Sequence, residues 1–155
     1  MTALYEQALN AVRDAISRLD LPRIAPDEVV VRKLPADNAM WNRGITISPD
    51  SSRIDDSEPA ESTNERDMLG YPCVITIVDG TGRGWSEGIT NVTEWQQKIR
   101  RTFHNKRLSA MHETGSNHVI CKVTHDHLVD KKAYPANLDV SQMIVWVWML
   151  EKRTN

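Results

Sequence analysis

The chain has 155 residues, of which 40% are hydrophobic and 26% charged, and its formal net charge is −2. This size and composition predict a single globular domain, residues 1–155, with a sizeable core. The nearly balanced charge gives no general attraction to nucleic acid or to anionic membranes. We find no secretory leader pattern and no apolar run near the roughly 20 residues of a membrane helix, so we expect no membrane partner.

The first part of the chain predicts one helix followed by two short strands. Apolar residues recur at helical spacing over residues 2–19 and predict an amphipathic helix that stops before Pro22. Residues 28–34 predict a short strand near a sheet edge, and residues 44–48 predict a second strand that Pro49 closes.

Residues 49–70 differ in character from the segments on either side. They hold seven acids and two arginines, for a net charge of −5, and only three sizeable apolar residues. Such a composition buries too little surface to offset the entropy lost on ordering. We therefore expect a mobile acidic loop between two paired strands, with a solvated charge run of no specific role as the alternative.

The second part of the chain predicts one helix between strands. Residues 71–79 predict a strand that is apolar on both faces, and residues 91–108 predict a helix. Asn91 is placed to cap this helix, and Glu94 three residues later would complete a capping box. Residues 118–124 and 140–151 predict the last two strands.

These elements predict the fold class. The order helix, three strands, helix, two strands indicates an α+β two-layer sandwich. Short links between consecutive strands favour a mostly antiparallel sheet of about five strands, with both helices on one face.

The last strand is the most apolar part of the chain, because residues 143–150 include no polar side chain. Alternation along a strand separates two apolar faces, and we consider first that the helices cover the face that holds Val145 and Val147. The other face would then expose roughly 600–800 Å², more than a soluble monomer usually tolerates. We therefore predict an oligomer interface on that face, or on the Val145 face if the assignment is reversed. Its side chains would be Ile144, Trp146, Trp148 and Leu150.

Two patterns suggest ligand binding, but neither is complete. The glycine-rich residues 80–88 lack the third glycine of a dinucleotide-binding turn, since Trp85 stands in its place. Cys121, His125 and His127 alternate on an extended chain and are weak candidates for a metal site, because no further ligand is spaced to join them. We therefore expect no bound metal and no cofactor.

The remaining reactive or charged residues also have structural explanations. Cys73 and Cys121 lie in predicted strands and are expected to be free, buried thiols. Cations crowd the second half of the helix predicted over residues 91–108, where the helix dipole favours them, so we expect no specific nucleic-acid binding. No hydrolase motif is present, so we expect no catalytic residues and no enzyme activity.

Several stretches together carry a resemblance to a known family. They are GITISP at residues 44–49, YPCVITIVDG at residues 71–80, WQQKIRRTF at residues 95–103, and a last strand that runs into Leu150-Glu151-Lys152-Arg153. With the N-terminal helix and the long polar excursion, this order resembles the head–tail connector and tail-terminator (tail-completion) proteins of long-tailed bacteriophages and prophages.

The resemblance implies a structural role. It implies a virion protein that forms a homo-oligomeric ring at the tail terminus or head–tail junction, with a hexamer as the implied ring size. Its partners would be phage tail-tube and head-completion proteins, and it would reside in the virion, or in the bacterial cytoplasm before assembly. Two alternatives stay open: a small metal-binding protein or metal-dependent enzyme that uses Cys121, His125 and His127, and a self-associating adaptor domain unrelated to phage.

Overall fold

The computed structural model describes residues 4–31, 43–57, 66–79, 85–108, 118–125 and 139–152. It confirms the α+β class and the order of the elements. The helices are α1 (Leu4–Ser17) and α2 (Trp85–Phe103), and the strands are β1 (Val29–Val31), β2 (Arg43–Pro49), β3 (Arg66–Asp79), β4 (His118–Thr124) and β5 (Asp139–Lys152). Two single 3₁₀ turns, Pro26–Glu28 and Ser51–Arg53, precede β1 and follow β2.

The five strands form one sheet in the order β1-β2-β3-β5-β4. The centre is the antiparallel pair of β3 and β5, which are 14 residues long each and pair from Arg66 opposite Lys152 to Asp79 opposite Asp139. The β2–β3 and β4–β5 pairs are also antiparallel, whereas β1 lies parallel to β2.

Both helices pack on one face of the sheet, as predicted, and this is the face that carries Val145 and Val147. Val12 and Ile16 of α1 and Trp95 of α2 are almost fully buried against this face. The helices present a wide apolar stripe toward the sheet, and each strand contributes every second residue. The sheet residues of this core are Val29, Ile45, Ile47, Tyr71, Cys73, Ile75, Ile77, Cys121, Val123, Met143, Val145, Val147 and Met149.

The opposite sheet face differs from the sequence-based expectation. Ile144 is 0% exposed and Trp148 is 5% exposed within the single chain, although both helices lie on the other face. The expectation that all four predicted interface residues are exposed in one copy is therefore wrong for these two. Trp146 and Leu150 are partly exposed. Part of the Trp148 contact comes from β3, because its ring lies against the backbone of Gly70.

The second helix begins earlier than its capping pattern indicated. α2 starts at Trp85, so Asn91 lies inside the helix and is not its N-cap. The side chain of Asn91 instead bonds to Asp79 and Arg23, and this tertiary contact replaces the local one that the sequence suggested. The helix ends at Phe103, and Lys106 beyond it forms a backbone bridge with Cys121. Residues 80–84 of the glycine-rich stretch lie outside the described residues.

The acidic stretch is also more structured than its composition indicated. Residues 66–70 belong to β3, and Ser51–Arg53 form a 3₁₀ turn. Asp55 pairs with Gly70 through two backbone hydrogen bonds of 2.9 and 2.8 Å. The described ends of the stretch thus carry a turn and the start of β3, and the expected mobility of the acidic loop over residues 49–70 stays a prediction. Residues 58–65, which hold three of its acids, lie outside the described residues.

Candidate interaction surfaces

The phenol of Tyr5 joins the first turn of α1 to the end of the β2–β3 pair. Its hydroxyl donates to the carbonyl oxygen of Pro72 at 2.5 Å and accepts from the backbone N–H of Asp50 at 2.7 Å. The ring of Tyr71 lies 5.0 Å away, centroid to centroid. Burial raises the pKa of Tyr5 well above its usual value. This residue therefore serves as a neutral clamp between helix and sheet.

A buried carboxylate at the end of β3 is held by a chain of polar side chains. Asn91 Nδ2 donates to Asp79 Oδ2 at 2.8 Å, and Arg23 Nη1 donates to Asn91 Oδ1. Asp79 and Asn91 are 1% and 4% exposed, so each needs its polar partners inside the fold. Trp95 Nε1 donates to the carbonyl oxygen of Pro22 at 2.8 Å and fastens the neighbouring residue of the same loop. These bonds tie the α1–β1 connection to α2.

The three weak metal-ligand candidates do not form a site within the described residues. Cys121 is fully buried in the core, whereas His125 is exposed and its Nε2 lies 3.3 Å from Nη1 of Arg100. Burial raises the pKa of Cys121 to about 12, which disfavours the thiolate that a metal requires. His127 lies outside the described residues, and the described part of the chain contains no group of three His, Cys, Asp or Glu suited to a metal.

The outer edge of β4 is covered by the residues that follow α2. Asn105 N–H donates to the carbonyl oxygen of Cys121, and Cys121 N–H donates to that of Lys106, both at 2.8 Å. Val123 N–H donates to Nδ1 of His104 at 3.0 Å. An unpaired edge strand would be a template for pairing with another chain. The backbone groups of Cys121 and Val123 on this edge are already hydrogen-bonded, so a contact between copies here has to use side chains.

Partly exposed apolar residues gather where β4 and β5 meet on the face opposite the helices. Ile120 pairs with Trp148 and Lys122 pairs with Trp146, so these side chains are direct or diagonal neighbours. Ile120, Trp146 and Leu150 are each partly exposed, and Lys122 is exposed. We call Ile120, Lys122, Trp146 and Leu150 the β4–β5 strip. Trp146 Nε1 already donates to Thr124 Oγ1 at 2.9 Å.

A groove of about 370 Å³ lies between the ends of the two helices. We call it the interhelical groove; its lining residues are Ala11, Asp14, Ala15, Arg18, Thr102, Lys106, Arg107 and Leu108. The sequence indicated the cations near the end of the second helix but not Arg18, which joins them only because α1 packs beside α2. The charge pattern of α1 alone does not show that Arg18 lies near the cations at the end of α2.

Comparisons with known proteins give no family for this chain. A scan against protein-family models finds no match. A search of curated proteins likewise finds none that matches significantly. Among the described residues, no helix is both long and apolar enough to cross a membrane. The geometry of the two surfaces therefore carries the functional argument.

Proposed function

We propose that this chain is a self-associating structural protein of a phage or prophage virion, which forms a ring at the tail terminus or head–tail junction. The resemblance of its elements to tail-terminator and connector proteins supports this role. So does the architecture, an α+β sandwich in which polar side chains fasten the helices to the sheet. The ring would dock onto phage tail-tube and head-completion proteins.

The observation that carries self-association is the state of Trp146. Its ring is partly exposed, while its N–H group is satisfied by Thr124 within the same chain. A second copy can therefore cover the indole of Trp146 without leaving its N–H group buried and without a hydrogen-bond acceptor. The hydrogen bond to Thr124 also holds the indole of Trp146 in one orientation before binding, which lowers the entropy lost on association. Large aromatic side chains of this kind are frequent energetic centres of interfaces.

The burial of Ile144 and Trp148 changes the extent of the predicted interface. Those two side chains are covered within one copy and contribute to the stability of the subunit. Trp146 and Leu150 stay candidates for contact with a second copy, and Ile120 joins them across the β4–β5 pair. The interface we propose is thus the β4–β5 strip.

The oligomeric state tests the proposal. Wild-type protein at micromolar concentration should give a mass of several subunits by light scattering, and Trp146→Lys or Leu150→Lys should shift it toward the monomer. Gln97→Lys adds the same charge at an exposed position on α2 and should leave the mass unchanged. Thermal unfolding of each variant separates lost assembly from lost folding. A monomeric wild type would contradict the proposal.

Imaging distinguishes a ring from other assemblies. Negative-stain electron microscopy of the wild-type oligomer should show closed rings with a central opening. Sedimentation with isolated tail tubes of long-tailed phages should retain the wild-type protein and lose Trp146→Lys. A dimer that forms no rings would contradict the proposed ring. A ring that binds neither tail tubes nor head-completion proteins would favour an adaptor unrelated to phage.

A further inference from the structure

The interhelical groove combines an apolar floor with a cationic rim. Ala11, Ala15 and Leu108 supply short or apolar surface, and Arg18, Lys106 and Arg107 are exposed at the rim. The single acid in the lining, Asp14, already binds Arg13 at 2.9 Å. Three cations and one acid leave a formal charge of +2 in the lining. This chemistry suits an acidic polypeptide segment.

The backbone of the groove rim is fixed before any ligand arrives. Lys106 N–H donates to the carbonyl oxygen of Phe103 at 3.0 Å, and the carbonyl oxygen of Lys106 accepts from Cys121 N–H at 2.8 Å. The α2 end is thereby fastened to β4 while the Lys106 side chain points to solvent. Binding here would order a few side-chain torsions and no backbone, which keeps the entropy of association low.

A second surface of the same chain has the opposite charge and is equally well held. Its backbone is fastened where Asp55 exchanges two hydrogen bonds with Gly70, and Asp55 Oδ1 accepts from Ser57 N–H at 2.8 Å. These bonds hold a short bend on which Asp56 is exposed. We call Asp55, Asp56 and Ser57 the acidic turn. It lies within the stretch 49–70 of net charge −5.

The two surfaces lie at opposite ends of α1. Asp50, at the start of the acidic stretch, bonds to Tyr5 in the first turn of the helix, whereas Arg18 follows its last turn. Arg18 follows Tyr5 by thirteen positions, which at the rise of a helix corresponds to roughly 20 Å. The groove and the turn therefore lie at different places on one copy, as a head-to-tail contact requires.

We propose that the interhelical groove of one copy binds the acidic turn of the neighbouring copy. This contact rests on the proposed self-association and adds to the β4–β5 strip a second, charged contact with head-to-tail geometry. Because the contact joins two different surfaces, each subunit offers one groove and one turn, and its repetition gives a closed ring where the rotation between neighbours closes and an open filament where it does not. Attraction between the carboxylates of the acidic turn and the +2 lining steers subunits into this register and weakens as salt is added.

The groove favours an acidic polypeptide over nucleic-acid phosphates. Its alanine and leucine floor offers apolar contact that a phosphate backbone does not use. The overall charge of −2 adds no attraction for nucleic acid.

Charge reversal on the two surfaces tests the pairing. Lys106→Glu alone and Asp56→Lys alone should each weaken association about tenfold or more at low salt, because like charges then meet. An equimolar mixture of the two variants should assemble again, since alternating copies restore opposite charges at every contact. Gln97→Lys serves as the control for a charge change elsewhere, and unchanged melting temperatures confirm that each subunit is folded.

The outcomes separate this contact from the proposed function. If both charge variants assemble like the wild type while Trp146→Lys dissociates, the groove contact is wrong and self-association stands. If the mixture fails to assemble, the partner of the groove is not the acidic turn. Duplex DNA that binds the wild-type chain and not Lys106→Glu, with assembly intact, would assign the groove to nucleic acid and overturn the inference.

Discussion

The ring of Trp148 lies directly over Gly70, its partner across the β3–β5 pair. A Cβ atom on Gly70 would come within 2.9 Å of Cε2 and Cζ2 of this ring. Because Trp148 is only 5% exposed, the indole has little space into which it can move. Glycine is needed here for close approach, and an aromatic ring that covers a strand glycine also protects its backbone from water.

We therefore expect Gly70→Ala to lower the free energy of unfolding by about 1–3 kcal/mol, the usual range for overpacking. Denaturant unfolding of the purified variant measures this loss. Trp148→Phe removes the outer part of the indole, so the double variant should lose less than the sum of the two single changes. Additive losses would show that the ring and Gly70 do not interact.

The hydroxyls of Thr46 and Thr76, neighbours across β2 and β3, should respond oppositely to the same substitution. Both side chains are 0% exposed. Oγ1 of Thr46 has no hydrogen-bond partner among the described residues, whereas Oγ1 of Thr76 accepts from Gln142 Nε2 at 2.9 Å. Thr46→Val should raise the free energy of unfolding by about 1 kcal/mol, because it removes an unsatisfied buried group.

Thr76→Val should lower the free energy of unfolding by about 1–3 kcal/mol, because the amide of Gln142 loses its acceptor. Urea unfolding of the two valine variants beside the wild type measures whether their free energies of unfolding change in opposite directions. The same shape change is made at adjacent positions, so packing differences largely cancel. Destabilisation by Thr46→Val would indicate a partner for that hydroxyl, such as a bound water.

Asn91 should be the most sensitive polar position on α2. Its replacement by alanine removes the donor to the buried Asp79 carboxylate and the acceptor for Arg23. The loss of one hydrogen bond inside the fold lowers the free energy of unfolding by about 1–3 kcal/mol. For Asn91→Ala the loss should rise toward about 3–5 kcal/mol, because the group that loses its partner is a buried carboxylate. Thr93→Ala, at an exposed position two residues along the same helix, should change stability by less than about 0.5 kcal/mol.

Thermal and denaturant unfolding of both alanine variants provides the comparison. Asn91→Asp is a further probe, because a second carboxylate facing Asp79 should destabilise more than alanine does. Equal effects of the Asn91 and Thr93 substitutions would mean that the polar chain contributes nothing to holding α2 against the sheet.

The two thiols should make the fold sensitive to alkaline pH. Burial raises the pKa of Cys121 to about 12 and that of Cys73 well above its usual value. A group whose pKa is higher when folded contributes full stability below its unfolded pKa and loses it as pH rises toward the folded value. The free energy of unfolding should therefore fall from about pH 9 upward, as the unfolded thiols ionise.

Reactivity with a thiol reagent gives a second measurement of the same burial. At pH 8 the folded chain should show almost no reaction of Cys73 or Cys121, and both should react at the rate of unfolding when denaturant is added. Rapid labelling of the native protein would mean that these strands open locally. Stability that is constant between pH 8 and 11 would contradict the pKa shifts.

Much of the architecture follows from local pattern. The uninterrupted apolar run at residues 143–150 predicts a buried strand, and alternation within it correctly separates the Val145 face from the Ile144 face. The helical periodicity of residues 2–19 likewise identifies α1 and its buried side. These features depend on residues close in sequence, whose spacing alone decides which side chains share a face.

The interacting surfaces depend on residues far apart in sequence. The parallel pairing of β1 with β2, the early start of α2, the contact of Trp148 with Gly70 and the joining of Arg18 to Lys106 have no local pattern. Asn91 looked like a cap because its neighbours in sequence fit that motif, but a buried carboxylate twelve residues earlier bonds to it instead. Sequence spacing thus determined the elements and their apolar faces. Only the tertiary structure decided which polar and aromatic groups meet, because burial makes distant partners necessary.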